Sequence, residues 1–371
     1  MRVLTVPMDT SACGYFRILE PTRIAASIGV DASAKAAELQ VLAEQDPYTQ
    51  AVTVLEFRED CDVLVLQRPL AQNVHAIALA AKRQGIAVVV ELDDDLHAVH
   101  ARNSMAPAVH APRDQHPAVD YLFGKSVNKV QSIPLHNRDW VSETVKLADL
   151  LIVSTHALVK YAPEKAVVVR NRLPEACLAL RPDVSPTRGS VGWTGALNVH
   201  PQDMQATQGA LQKIRGQFTV VGSEIGVADA LRIPPQRVTL GAPWQEDIPA
   251  YWKVVPENIG VGIAPLEQSA FNISKSALKP QELATLGIPF VASPTPEYQW
   301  FVKESGAGFI ARDRAEWATH LKRLLNHDPT YESCRQNGLE WAEQHSMERH
   351  VGEWITCWKR AYDKARGKVT A

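Results

Sequence analysis

Short apolar runs rich in β-branched residues alternate along this chain with longer stretches whose apolar positions recur at helical spacing. Runs of about four to eight residues suit buried strands, and longer periodic stretches suit helices. In the first half the strand-like runs are RVLTV (2–6), DVLVL (62–66), IAVVVEL (86–92), LLIVS (150–154) and AVVVR (166–170). In the second half they are SVGWTG (190–195), FTVVG (218–222), RVTLG (237–241), IGVGIAPL (259–266) and IPFVA (288–292). Helices are expected at 73–84, 139–149, 203–215 and 314–326. Apolar strands separated by helices are the mark of a parallel sheet built from βαβ units.

Two groups of strands are parted by RPDVSPTRGS (181–190), a polar segment with two prolines that suits a hinge. The expected organisation is a first domain over 1–180, a hinge at 181–190, a second domain over 191–330 and a helical segment over 331–371. That last segment carries Trp341, Trp354 and Trp358 and a basic end. It reads as a docking helix whose tryptophans pack on a domain. Residues 97–137 break the pattern, with several histidines and prolines and little periodicity. A loop that long within a compact domain is functional or disordered.

Composition adds exclusions. A length of 371 residues suggests two domains at ~150 residues each. Hydrophobic residues at 46% and charged residues at 22% fit a globular α/β protein and exclude disorder. The net charge of −2 supplies no whole-molecule field for nucleic acid or anionic lipid. The five cysteines are scattered without a C-x-x-C pair, which reads as reduced thiols in the cytoplasm. The N-terminus lacks the apolar core of a signal peptide, and no run approaches the ~18 apolar residues of a membrane span.

Candidate chemistry gathers at strand ends. In AFNISKSALKPQELATLGIPFVAS (270–293), Pro280 favours a helix start near Lys279, and Gly287 suits its C-terminal cap. The orphan N–H groups and dipole of that helix end favour an anion, and Lys275 and Lys279 add charge. Glu282 in the first turn can accept hydrogen bonds from a diol. Together they suit a nucleotide diphosphate with its ribose; the plainer reading is solvated lysines and a glutamate capping its own helix.

Four further stretches qualify. VGWTGALNVHPQDM (191–204) offers Trp193, Thr194, Gly195 and His200 to a phosphate or sugar, although such a histidine is more often a loop residue. Trp244, after RVTLG, could lie against a base or serve packing. In the first half, Gly14 and Arg17 follow the first strand, and Asp93, Asp94 and Asp95 end an apolar strand, where ligands bind in open α/β sheets. Three adjacent carboxylates suit acceptor binding, a general base or a divalent cation; the plainer reading is a polar strand end with one aspartate capping the next turn. No Walker loop, nucleophile elbow, H-E-x-x-H or paired-cysteine zinc pattern occurs.

Taken in order, CGYFR, ELDDDLH, ADLLIVST (148–155), VVVRN (167–171), GWTGALNVHPQD, GVGIAPL, FNISKSALKPQE and LGIPFVASPTPEY resemble retaining glycosyltransferases of the GT-B fold. The likeness is particularly to the group-1-like proteins of actinobacteria and their phages, so a phage-encoded chain would work in host cytoplasm. The resemblance implies two Rossmann-like domains facing a cleft, with a C-terminal helix docking across. It implies a UDP- or GDP-sugar donor held by Lys275, Lys279 and Glu282, with divalent metal left open, and an acceptor that is a protein, modified DNA or a glycan. Asp94, Asp95 and Arg17 become the catalytic candidates. Gly14, Trp193, Thr194, Gly195, His200 and Trp244 join the donor contacts. Three positions depart from the family pattern. Ser274 stands where the first glutamate of E-x7-E belongs, Pro280 replaces a helix-compatible residue, and GWTGALNVHPQD lacks the usual arginine and lysine. A nucleotide-sugar epimerase and a degenerate binding or structural protein on the same fold are the alternatives.

Overall fold

A computed structural model describes residues 1–36, 38–45, 52–110, 137–181, 189–199, 202–326 and 328–368. All ten expected strand segments form. In the first unit, β1 (Val3–Val6) and β2 (Ala32–Ala34) are followed by a hairpin of β3 (Val41–Gln45) and β4 (Val52–Phe57), which pair antiparallel as a separate ladder. Then come β5 (Val63–Gln67), β6 (Ala87–Leu92), β7 (Leu150–Val153) and β8 (Ala166–Val168). The main sheet has order β2-β1-β5-β6-β7-β8 and is parallel throughout.

Every residue of β5, β6 and β7 is buried, because crossover helices such as Gln72–Arg83 and Asn137–Leu147 cover such a sheet. Strand β6 nonetheless carries a glutamate. Glu91 is fully buried and receives the Arg17 Nε–H at 2.7 Å; Arg17 also donates to the Val169 carbonyl at 2.7 Å. The Arg17 guanidinium lies 4.6 Å from the ring centre of Trp354. Burial pushes the Glu91 carboxyl upward, and Arg17 pulls it back.

The second unit repeats the plan. Strands β9 (Val191–Gly195), β10 (Phe218–Gly222), β11 (Val238–Pro243), β12 (Val261–Ala264), β13 (Phe290–Ala292) and β14 (Gly308–Ile310) form a parallel sheet of order β11-β10-β9-β12-β13-β14. Its core joins Trp193, Phe218, Val220, Ile263, Val291 and Trp317. The order reverses between β9 and β12, as it does between β1 and β5 in the first unit. Ligands bind at the carboxyl ends beside such reversals.

The helix expected at 203–215 does not form. Two short 3₁₀ turns, Asp203–Thr207 and Ala210–Lys213, replace it, because Gln208 and Gly209 take left-handed backbone with φ of 50° and 74°. The chain passes from the first unit to the second at Arg170/Asn171, ahead of the segment 181–190, of which 182–188 lie outside the described residues. The C-terminal segment is two helices, Asp328–Gln344 and Met347–Ala365; from His350 onward it belongs to the first unit. All three of its tryptophans are buried.

Removing one partner of a buried ion pair leaves the other uncompensated, at a cost of about 3–5 kcal/mol. Arg17→Ala is expected to lose stability on that scale in urea unfolding. An arginine kept for an exposed ligand would leave the midpoint nearly unchanged.

Candidate functional site

The second unit places Glu282 on the helix Leu278–Thr285, with Pro280 still inside the first turn, where its missing N–H has no helical partner to lose. Gly287 follows the helix with φ of 70°, as its capping role requires. The Glu282 carboxylate is buried and collects three donors. Lys279 Nζ lies 3.0 Å from Oε2, the Tyr251 hydroxyl 3.5 Å from the same oxygen, and Trp252 Nε1 3.4 Å from Oε1. Lys279 also donates to the Tyr251 hydroxyl at 2.8 Å.

Burial acts against the Lys279 ammonium, yet Glu282 and Tyr251 outweigh it and hold the group protonated above its usual range. Burial, with Glu282 beside it, pushes the Tyr251 phenol up to about 12. Tyr251 and Trp252 come from the helix Ile248–Asn258, whose first turn is capped by Asp247 accepting the Ala250 N–H at 2.7 Å. Sequence reading missed this helix, because Pro249 and Pro256 interrupt its pattern; the capping aspartate was the signal available.

Around this cluster the other expected contacts divide. The Lys275 ammonium sits 4.4 Å from the ring centre of Phe271. Ser274 is buried, and its hydroxyl donates to the Ala270 carbonyl at 3.0 Å. Asp203 ties the loop after β9 to the loop after β12, accepting the Glu267 N–H at 3.0 Å and an Asn272 Nδ2–H at 2.6 Å. Trp193 belongs to the hydrophobic core of the second unit. Thr194, one residue on, is also buried but on the opposite face. Gly195 has φ of 150°, and a Cβ there would meet the Trp193 ring at 2.6 Å; its lack of a side chain serves packing. Trp244 is exposed just past β11. His200 lies outside the described residues.

In the first unit the strand ends build a charged cluster. Arg68, directly after β5, has φ of 42° and a buried guanidinium. It donates to Asp93 at 2.5 Å, to Asp94 at 2.8 Å and to the Cys13 thiol at 3.1 Å. Gln67 braces the same loop, donating to the Cys13 carbonyl at 3.1 Å and accepting the Met8 N–H at 3.0 Å. Cys13, Asp93 and Asp94 bring three metal-ligand atoms within 4.8 Å of one another. Arg68 already supplies the positive charge there, pairing with both carboxylates.

Asp95 turns elsewhere, to Lys160 at 2.5 Å and the Tyr161 hydroxyl at 2.8 Å. Gly14 is needed for close backbone approach, since a Cβ there would fall 1.6 Å from the Asp9 carbonyl oxygen. Arg17, a catalytic candidate from the sequence, is instead sealed in the core with Glu91.

No protein-family model matches the chain, and no curated protein matches it in sequence. Solved structures do. Sucrose-phosphate synthase from Thermosynechococcus elongatus shares 12% identity at a TM-score of 0.63, covering 98% of this chain and 100% of that one. HepE of Anabaena, solved with UDP and glucose, shares 14% at 0.59 over 96% and 98%. WaaG, a glycosyltransferase involved in lipopolysaccharide biosynthesis, shares 10% at 0.55 over 99% and 100%. The fold is GT-B. At such identities the likeness extends to architecture alone, two parallel-sheet Rossmann-like domains. Among the described residues no helix is long and apolar enough to cross a membrane.

Arg68 holds two carboxylates and a thiol with one fork, which a lysine's single ammonium cannot copy. Arg68→Ala should cost about 3–5 kcal/mol in urea unfolding. Arg68→Lys should recover part of that loss.

Proposed function

We propose that the protein is a glycosyltransferase that moves a sugar from a UDP- or GDP-sugar to an acceptor hydroxyl, with retention at the anomeric carbon. The observation that carries this reading is the Lys279–Glu282–Tyr251 cluster, whose lysine and glutamate lie on the helix Leu278–Thr285 and whose tyrosine comes from the helix Ile248–Asn258. An ionised carboxylate offers about four lone-pair sites, and three donors leave room for a ribose hydroxyl. The helix N-terminus and the nearby lysines favour the diphosphate. Support also comes from the fold, since one structural neighbour was solved with UDP and glucose.

Stabilisation of the departing diphosphate by fixed positive groups is the main chemistry such a site supplies. Lys275 and Lys279 would supply it. Trp244 would lie against the base, and the first unit would receive the acceptor: a protein, a modified DNA base or a glycan. No metal is assigned.

A panel of nucleotide diphosphates and nucleotide sugars, with and without Mg2+ or Mn2+, tests this by thermal shift. A nucleotide at ~100 times its Kd stabilises the protein by about 2.7 kcal/mol, a clear rise in Tm. Lys279→Ala and Glu282→Ala should each abolish most of that rise and increase the donor KM severalfold or more. Unchanged donor kinetics in both variants would sink the assignment, and the absence of any shift would favour a degenerate binding protein.

A further inference from the structure

Beside the reversal of strand order in the first unit lies a buried polar group that the donor site does not use. Arg68, Asp93 and Asp94 follow β5 and β6 there, and the helix Gln72–Arg83 starts shortly after Arg68. Asn73 stands in its first turn. It shares one side of the helix with Ile77 and Ala80, the buried side that packs on the sheet, so its side chain points at the sheet's carboxyl edge. Asn73 is 2% exposed, and among the described residues neither its amide oxygen nor its amide nitrogen has a hydrogen-bond partner. Ala71 at the N-cap position supplies no side-chain cap, so the first N–H groups of this 12-residue helix also lack the usual side-chain acceptor. All of these residues belong to the first unit.

Keeping an amide dry and unpaired costs stability, whichever way its oxygen and nitrogen are assigned. A leucine of similar volume would remove that cost. A ligand that completes the amide explains why it is there, and a single trapped water is the rival occupant.

The surroundings select the ligand's charge. The Arg68 guanidinium pairs with two carboxylates, which leaves one negative charge in excess and opposes an anion. Asp95, the next carboxylate, is balanced by Lys160. The positive end of the helix dipole opposes a cation. The amide itself needs a partner that both donates and accepts, and a hydroxyl does both. A neutral ligand with several hydroxyls meets all three conditions, and a sugar is such a ligand. The carboxyl ends of strands beside a reversal are where open α/β sheets take their ligands.

We propose that the first unit binds a neutral sugar in this crevice, with the Asn73 amide donating to one hydroxyl oxygen and accepting a hydroxyl hydrogen. The binding does not need the transferase reading; it rests on that reading only in making the sugar part of a glycan acceptor. Recognition alone is assigned to these side chains, and none of them takes a proton.

Thermal shift and calorimetry on the full chain test this, with methyl α- and β-glycosides of hexoses, deoxyhexoses, pentoses and N-acetylhexosamines as probes. Nucleotide diphosphates and nucleotide sugars are run on the same samples. At least one glycoside is expected to give a saturable Tm rise that inorganic phosphate does not compete away; competition by phosphate would overturn the choice of a neutral ligand. Asn73→Leu should raise the Tm of the ligand-free protein, weaken the glycoside about tenfold or more and leave the nucleotide response intact. Asn73→Ser keeps a donor and an acceptor, and Asn73→Ala keeps neither. This pair decides the matter if the leucine variant does not fold, the serine variant binding the glycoside more tightly. Wild-type glycoside affinity in Asn73→Leu, the result a trapped water would give, would overturn the assignment. A response to nucleotides but to no glycoside would overturn it too and leave the donor reading standing. A response to a glycoside but to no nucleotide would support it and overturn the donor reading.

Discussion

A parallel sheet with apolar strands confines polar chemistry to its ends. Backbone groups within it are satisfied strand to strand, and both faces are covered, so a charge inside needs a partner. Both units obey this constraint. In the first, Arg68 follows β5 and Asp93 to Asp95 follow β6; in the second, Asp203 and Glu267 lie in loops after β9 and β12. Glu91 breaks the rule within a strand, and Arg17 is the buried answer to it.

The polar residues of the first unit form a gradient from structure towards chemistry. Arg17 and Glu91 are sealed from water and serve the core. Arg68 with Asp93 and Asp94 lies one step outward, still nearly buried but beside the reversal of strand order. Asp95, Tyr161 and His97 lie furthest out, and the His97 side chain is 36% exposed. Each step outward exchanges electrostatic strength for access, since a charge pair weakens as water screens it.

Much of this was legible in the sequence, and the parts that were not share a cause. The apolar β-branched strands announced themselves, whereas β2, Ala-Ser-Ala, and β14, Gly-Phe-Ile, lack such a run. The positions of Asp93 to Asp95, Lys279 and Glu282 could be read from their place after a strand or before a helix. Their partners could not. Arg68 meets Asp93 across 25 residues, Tyr161 meets Asp95 across 66, and Tyr251 meets Glu282 across 31, and no local rule records such pairings. Arg17 and Trp193 pack inward for the converse reason: a residue near a strand end can turn inward, and only the packing around it says which way.

The Lys279–Glu282 pair has a kinetic consequence. Before any donor arrives, the ammonium and the carboxylate cancel, so these two residues cast almost no long-range field. Capture of a polyanion by steering from a distance weakens when the receiving charge is already neutralised. If a nucleotide sugar binds here as proposed, its recognition at this pair acts at contact range, through exchange of hydrogen bonds. Association through these two groups should vary little with ionic strength, even though the ligand is highly charged.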